Sequence, residues 1–206
     1  MPDTALTFKL QEDIPVEKKR CTWCSDDPLY AAYHDDEWGV PLYDDSTLFQ
    51  FLLLESAQAG LAWITVLRKR EGYRQAFDNF DVQKIARYSD KKLEKLLQNP
   101  QIIRNRLKVF GARQNAQAFL RIQEDRGSFA SYIWDFVDGK PVQNSWPSSA
   151  CVPVNSPISD RLSKDMKKRG FTFVGSTILY ATMQATGMVN DHTTDCFRHS
   201  ECRQLA

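Results

Sequence analysis

Residues Cys21 to Gly39 read CTWCSDDPLYAAYHDDEWG. The stretch holds two thiols, one of the chain's three histidines, two tyrosines, two tryptophans and five acids. A surface helix with one apolar and one solvated face is not written this way. Thiols beside an imidazole ask for a metal, and clustered aromatics ask for a flat ligand. Each demand needs partners from elsewhere. Cys21, Cys24 and His34 are three ligands where a closed tetrahedral site takes four. An aromatic pocket needs a polar group to orient what enters it. The segment therefore has to fold against distant parts of the chain.

The 206 residues suffice for one good-sized domain or two small lobes, and 42% hydrophobic content suits a packed core. With a net charge of +1, no global basic field announces a nucleic-acid partner, so such binding must come from local patches. No apolar run is long enough to span a bilayer, and the N-terminus lacks the pattern of a secretory signal. Five cysteines without an export signal point to reduced thiols in a cytoplasmic setting, with metal binding preferred over disulfides. Residues 1–19 are polar, hold two prolines and show no period; they are expected to be a loose extension before a helical domain over 20–206.

Helical periods dominate and no run of alternating strands appears, so the expected fold is all-α. Asp26-Asp27-Pro28 marks a helix start, with a short helix over Leu29–His34. Asp44, Asp45 and Ser46 are N-cap candidates for a longer helix over Thr47–Ala59, broken by Gly60. Two short helices follow over Val82–Tyr88 and Asp90–Leu97, then a tight connection at Asn99-Pro100-Gln101. Ile102 to about Ile122 reads as one long helix with Arg104, Arg106 and Lys108 in its first two turns. Cations there oppose the helix dipole, so an anionic partner is a candidate reason for them; a solvated charged face is the other. Residues 140–156 read as a long loop, Ile158–Lys168 as an amphipathic helix, and Phe171–Thr186 as a buried helix closed by Gly187.

His192 and Cys196 are four apart, a spacing that points both inward from one helical turn. With Cys21 and His34 they make two thiolates and two imidazoles, a set suited to a structural zinc site. Cys24, His199 and Cys202 compete for the same role, and Cys21-x-x-Cys24 is the more familiar pair. Glu55 falls in line with Leu48, Phe51 and Leu52 on the apolar stripe, where an ionised, unpaired carboxylate costs several kcal/mol. Its company is Tyr30, Tyr33, Trp38 and Trp63. A carboxylate among aromatic rings is a receptor for a flat cationic ring, each well-placed aromatic adding about 0.5–2 kcal/mol. For each aromatic alone, core packing is the plainer role.

Taken together, RCTW, DPLYAAYHDDEWGVP, LFQFLLLESAQAGLAWITVLRKRE, IIRNRLK, and KKRGFTFVGSTILYATMQATGMVNDH with the cysteine after it resemble the DNA-3-methyladenine glycosylase I family, a branch of the helix-hairpin-helix base-excision glycosylases. They span most of Arg20–Cys196. The resemblance implies an all-α, two-lobed fold with a base pocket between the lobes, and one structural zinc on Cys21, His34, His192 and Cys196. It implies a pocket of Glu55, Tyr30, Tyr33, Trp38 and Trp63 with Trp23 nearby. The implied reaction is hydrolytic excision of 3-methyladenine flipped out of double-stranded DNA, carried by Glu55. It leaves an abasic site without strand cleavage, since the motifs offer no lysine nucleophile. Arg104, Arg106 and Lys108 are then expected on the DNA backbone, and the protein as a monomer. Two departures stand out: Ser56 and Ala57 beside the glutamate, and a hairpin turn at Asn99-Pro100-Gln101 without the glycine that lets amides approach a phosphate. They leave room for a rival, a zinc-stabilised module that binds damaged bases without excising them. A zinc hydrolase is a second rival, and Cys196 as fourth ligand argues against it.

Overall fold

A computed structural model of the chain describes residues 18–205. The extension expected over 1–19 thus lies outside the described residues except for Lys18 and Lys19. Those two are docked on the C-terminal part: the Lys19 carbonyl accepts from Phe197 N, and the Lys19 ammonium pairs with Asp195.

The helices in chain order are α1 (Pro28–Asp36), α2 (Asp45–Gln58), α3 (Trp63–Leu67), α4 (Arg70–Ala76), α5 (Val82–Ala86), α6 (Asp90–Leu96) and α7 (Arg106–Arg126). After α8 (Phe129–Trp134) comes a two-residue strand, β1 (Val142–Gln143). The chain ends with α9 (Pro157–Lys168), α10 (Ser176–Ala185), β2 (Val189–Asn190) and α11 (Phe197–Arg203). The fold is mostly helical, as expected. The loop expected over 140–156 departs from this, because β1 pairs in parallel with β2, Val142 opposite Val189. A pair of two-residue strands is too short to show alternation. No helix among the described residues is long and apolar enough to cross a membrane.

The Asp27 carboxylate accepts from the amides of Leu29 and Tyr30 and Pro28 opens α1; Asp44 caps α2 through Thr47. α2 is the central element, touched by α3, α7, α8 and α10. Leu48, Phe49, Phe51 to Leu54, Glu55, Ser56 and Ala57 are all buried. The stripe expected of it is therefore too narrow: a helix enclosed on all sides is apolar nearly all round.

Two expected helix starts are displaced, α10 by a distant partner and α7 by a distant partner together with a local cap. α7 begins at Arg106, not Ile102. The Tyr73 hydroxyl takes the Ile103 amide at 3.1 Å, and the Asn105 side chain caps the Lys108 amide. Arg104 accordingly lies before the helix. α10 begins at Ser176, not Phe171. The buried Asn115 side chain of α7 binds both the amide and the carbonyl of Thr172, at 2.8 and 3.0 Å, and Phe173 takes a left-handed φ of 54°. Those bonds occupy the Thr172 amide and carbonyl, so the first helical bond is the one Leu179 N donates to the Gly175 carbonyl.

Gly187, at φ 68°, closes α10 where a Cβ would lie 2.3 Å from the Val40 carbonyl carbon. The approach is used: Gly39 N donates to the Gln184 carbonyl, and Leu42 N to that of Thr186. The end of α10 is thereby sewn to the segment that follows Trp38.

Candidate active site and metal centre

α1 projects Tyr30 and Tyr33 toward α3, whose first residue is Trp63; the Tyr33 and Trp63 rings lie 5.3 Å apart. Trp23 packs against Tyr30 at 5.1 Å and edge-on against Trp38 at 4.9 Å. α2 brings Glu55 to the same place. Together these side chains line one face of a cavity of about 360 Å³. All six pocket residues expected from the sequence meet there. The opposite face, which the sequence did not reveal, comes from Ser149 and Val152–Val154 and from Thr177, Tyr180 and Gln184 of α10, with Asp191 beneath.

Glu55 is 3% exposed and its Oε2 has no hydrogen-bond partner among the described residues; nor has Trp63 Nε1. Buried polar atoms are almost always satisfied, so two orphans on residues that line one cavity are exceptions that call for a reason. Burial without a counter-charge pushes the Glu55 carboxyl from 4.5 up to about 8. The folded state thus holds a proton that the unfolded chain gives up near its ordinary pKa. This contribution to stability is fully present below about pH 4.5 and is lost as pH rises through about 8, up to about 5 kcal/mol. Glu55→Gln is accordingly expected to raise Tm relative to wild type far more at pH 9 than at pH 5. Parallel melting curves at both pH values would refute a buried, unpaired carboxyl.

Asp191 is the other buried carboxylate of the cavity. It accepts from Asn144 Nδ2 and Trp146 Nε1 at 2.7 Å, Tyr180 OH at 2.7 Å and Gln184 Nε2 at 2.8 Å. Unlike Glu55 it is fully partnered, and it ties the 144–146 segment to α10. No short motif exposes it; the available signal was an acid directly before His192.

Behind the aromatic wall, ligand atoms of Cys21, His34, His192 and Cys196 all lie within 4.8 Å of one another, and all four residues are buried. Their partners suit a metal. His34 Nδ1 faces the Asp35 carboxylate at 2.8 Å, which Arg20 holds in turn, leaving Nε2 toward Cys196. His192 Nε2 bonds the Trp38 carbonyl at 3.0 Å, leaving Nδ1 toward both thiols. Outer hydrogen bonds of this kind fix the tautomer and aim of a ligating imidazole. The thiol of Cys196, and then the amide and hydroxyl of Thr193, bring the Cys21 thiol down to about 7. His192 and Cys196 meet through a turn after β2, not from one turn of helix as the spacing suggested; Cys196 caps α11. The competing residues lie apart. Cys24 Sγ bonds the Ser25 carbonyl, His199 Nε2 the Asn144 carbonyl, and buried Cys202 is outside the cluster.

The family model described as methyladenine glycosylase matches residues 23–199. The chain belongs to the methyladenine glycosylase family. It is 47% identical over 178 residues to DNA-3-methyladenine glycosylase 1 of Escherichia coli (strain K12), covering 86% of this chain and 95% of that protein. A crystal structure of 3-methyladenine DNA glycosylase I superposes with TM-score 0.85 at 52% identity, over 87% of this chain and 98% of the other. Another glycosylase I, solved in complex with 3-methyladenine, gives 0.84 at 35% identity over 86% and 96%.

In this family member the two departures have distinct structural settings. The Ser56 hydroxyl donates to the Phe173 carbonyl at 3.3 Å, and Ala57 is buried against α7, so both sit behind the cavity wall. At the hairpin, the Asn99 side chain accepts from Gln101 N at 2.9 Å, closing the turn without glycine. Arg104 is exposed. Arg106 is also exposed, pairs with Glu94 and lies over the Phe110 ring. Lys108 turns inward and donates to the carbonyls of Ala57 and Ala59.

Proposed function

We propose that the chain is a monofunctional DNA repair glycosylase that hydrolytically removes 3-methyladenine from alkylated double-stranded DNA and leaves an abasic site. The observation that carries this is the orphaned Glu55 carboxyl in an aromatic cavity. Duplex chemistry on a base requires the nucleotide to be flipped out. The 3-methylated adenine is cationic in DNA and departs neutral, so its glycosidic bond is already weakened. In the cavity Trp63 and Trp38 stack on the ring. Glu55, held neutral by burial, ionises when the cationic base supplies the missing counter-charge, and accepts hydrogen bonds from the adenine edge beside Tyr33. Water attacks the sugar C1′ as the bond to the base nitrogen breaks; its bond electrons leave with the base, which becomes neutral, and the protons of the added water and of Glu55 pass to bulk solvent. Among the described residues no lysine lines the cavity, which supports base removal without strand cleavage.

In this reading the fold is two-lobed about the cavity. α6, the 97–105 turn and α7 form the helix-hairpin-helix element against the DNA backbone, with Arg104 and Arg106 outward. Cys21, His34, His192 and Cys196 fit a single structural zinc. Two thiolates and two imidazoles fill a tetrahedral site and leave no open position, which speaks against a zinc hydrolase. The enzyme acts as a monomer. The described cysteines, all unpaired thiols, support a cytoplasmic setting.

The test is release of free base from methylated duplex DNA. The expected products are 3-methyladenine and alkali-labile abasic sites in unbroken strands. Tight binding of the damaged duplex with no base released would make the protein a recognition module instead.

A further inference from the structure

α2 ends at Gln58, and the chain turns through Ala59, Gly60 and Leu61 into α3. The last carbonyls of a helix lack intrahelical partners and carry the negative end of its dipole. At this corner the Lys108 ammonium donates to the Ala57 carbonyl at 2.8 Å and the Ala59 carbonyl at 2.6 Å. Lys108 is half-buried in the first turn of α7, where the Asn105 side chain holds its backbone amide. Its neighbours point the other way: Arg106 and Leu107 are exposed, Leu107 by 71%. One short helical turn thus presents two side chains outward and sends a third into the end of α2.

The two groups with unsatisfied cavity atoms flank the clamped corner. Glu55 lies two residues before Ala57, and Trp63 lies four after Ala59. Among the described residues, a Cβ at Gly60 would meet nothing within 4 Å, so the tip is open there.

We propose that Lys108 is a positioning residue, not a phosphate ligand: it couples the DNA-facing turn of α7 to the corner that aims Glu55 and Trp63. This rests on the glycosylase reading above. A misplacement of about 1 Å at reacting groups costs about a hundredfold in rate, so loss of the clamp acts on the chemical step. Loss of a phosphate contact would act on DNA affinity and on its salt dependence, lowering the slope of log K against log salt by about one.

The experiment compares wild type, Lys108→Met and Lys108→Gln in the full chain. It measures single-turnover release of 3-methyladenine at saturating enzyme, the salt slope for undamaged duplex DNA, and the Trp63 indole N–H resonance. The expected result for Lys108→Met is a rate at least tenfold lower, an unchanged slope and a shifted Trp63 resonance. Lys108→Gln, whose amide still donates, recovers most of the rate. A slope reduced by about one with the rate unchanged overturns the proposal in favour of a phosphate contact; an unmoved rate and resonance overturn it outright. If Lys108→Met does not fold, Lys108→Ala, which opens a gap reached by water, is judged by the same criteria. Failure of the wild type to release base would reject the glycosylase reading alone, and the Trp63 resonance would still decide on the clamp.

Discussion

Glu55→Gln is expected to lower kcat/KM for 3-methyladenine release by about two to nearly four decades. The magnitude follows from the burial. Breaking a buried ion pair by removing one partner costs about 3–5 kcal/mol, and each 1.36 kcal/mol is a decade in rate. Glutamine keeps the shape of the side chain and removes only its ability to become an anion. In the free protein the exchange is mild, because the wild-type carboxyl, held at about 8, is already neutral at physiological pH. The loss therefore falls on the complex, where the cationic ring would have drawn out the Glu55 proton. The variant should stay folded, and affinity for the free base, which is neutral and draws no proton from Glu55, should fall far less than the rate. Activity within tenfold of wild type would remove Glu55 from the mechanism and leave stacking by Trp38 and Trp63 to account for recognition.

What the sequence reveals here divides along the range of the interactions. α1 and α2 are legible because their caps are local: Asp27 before Pro28, and Asp44 three residues before Thr47. Glu55 is legible because an acid in register with apolar positions is a local contradiction. The start of α10 is not, since Asn115 sets it from 57 residues away; at α7 a local cap, Asn105, works with the Tyr73 hydroxyl, 30 residues off, which holds Ile103 out of the helix. Asp191 stays hidden for the same reason, its four donors lying between residues 144 and 184. Lys108 is the instructive case. Judged against its own helix, a cation in the first turn is unfavourable and calls for an external anion. Judged against α2, it stands at a carboxyl end, where a cation belongs. The dipole that Lys108 answers is that of α2, not that of α7, and only the packing reveals it. Spacing left Cys24, His199 and Cys202 open as ligands; family resemblance chose among them, and the clustered atoms agree with that choice.

Removal of metal is expected to have the second large effect, on stability first and on activity through it. The four proposed ligands join residues 21 and 34 to residues 192 and 196, so a metal on them would close a loop of nearly the whole domain. Structural zinc contributes directly to folding free energy, about 10–16 kcal/mol in small peptides. Here a helical core is expected to remain, and losing a cross-link over so long a loop, about 4 kcal/mol of chain entropy, corresponds to a Tm lower by about 10–15 °C for a chain of this size. Cys196→Ser should reproduce the effect of chelation. Cys24→Ser, on the same N-terminal segment but outside the cluster, should stay within about 2 °C of wild type, as peripheral substitutions do. Elemental analysis should find one zinc per chain in wild type and none in the Cys196 variant. The activity loss has a defined route, because His192 Nε2 holds the Trp38 carbonyl and Trp23 packs edge-on against that indole. Without a ligand to aim it, the His192 ring no longer fixes the aromatic wall. Gly39 shows how close the contact is: its φ is 82°, and a Cβ there would lie 2.9 Å from His192 Nε2. Affinity for the free base should therefore fall with the metal even at temperatures where the apo protein remains folded. An apo protein with unchanged Tm and unchanged base affinity would show that the centre and the pocket are independent.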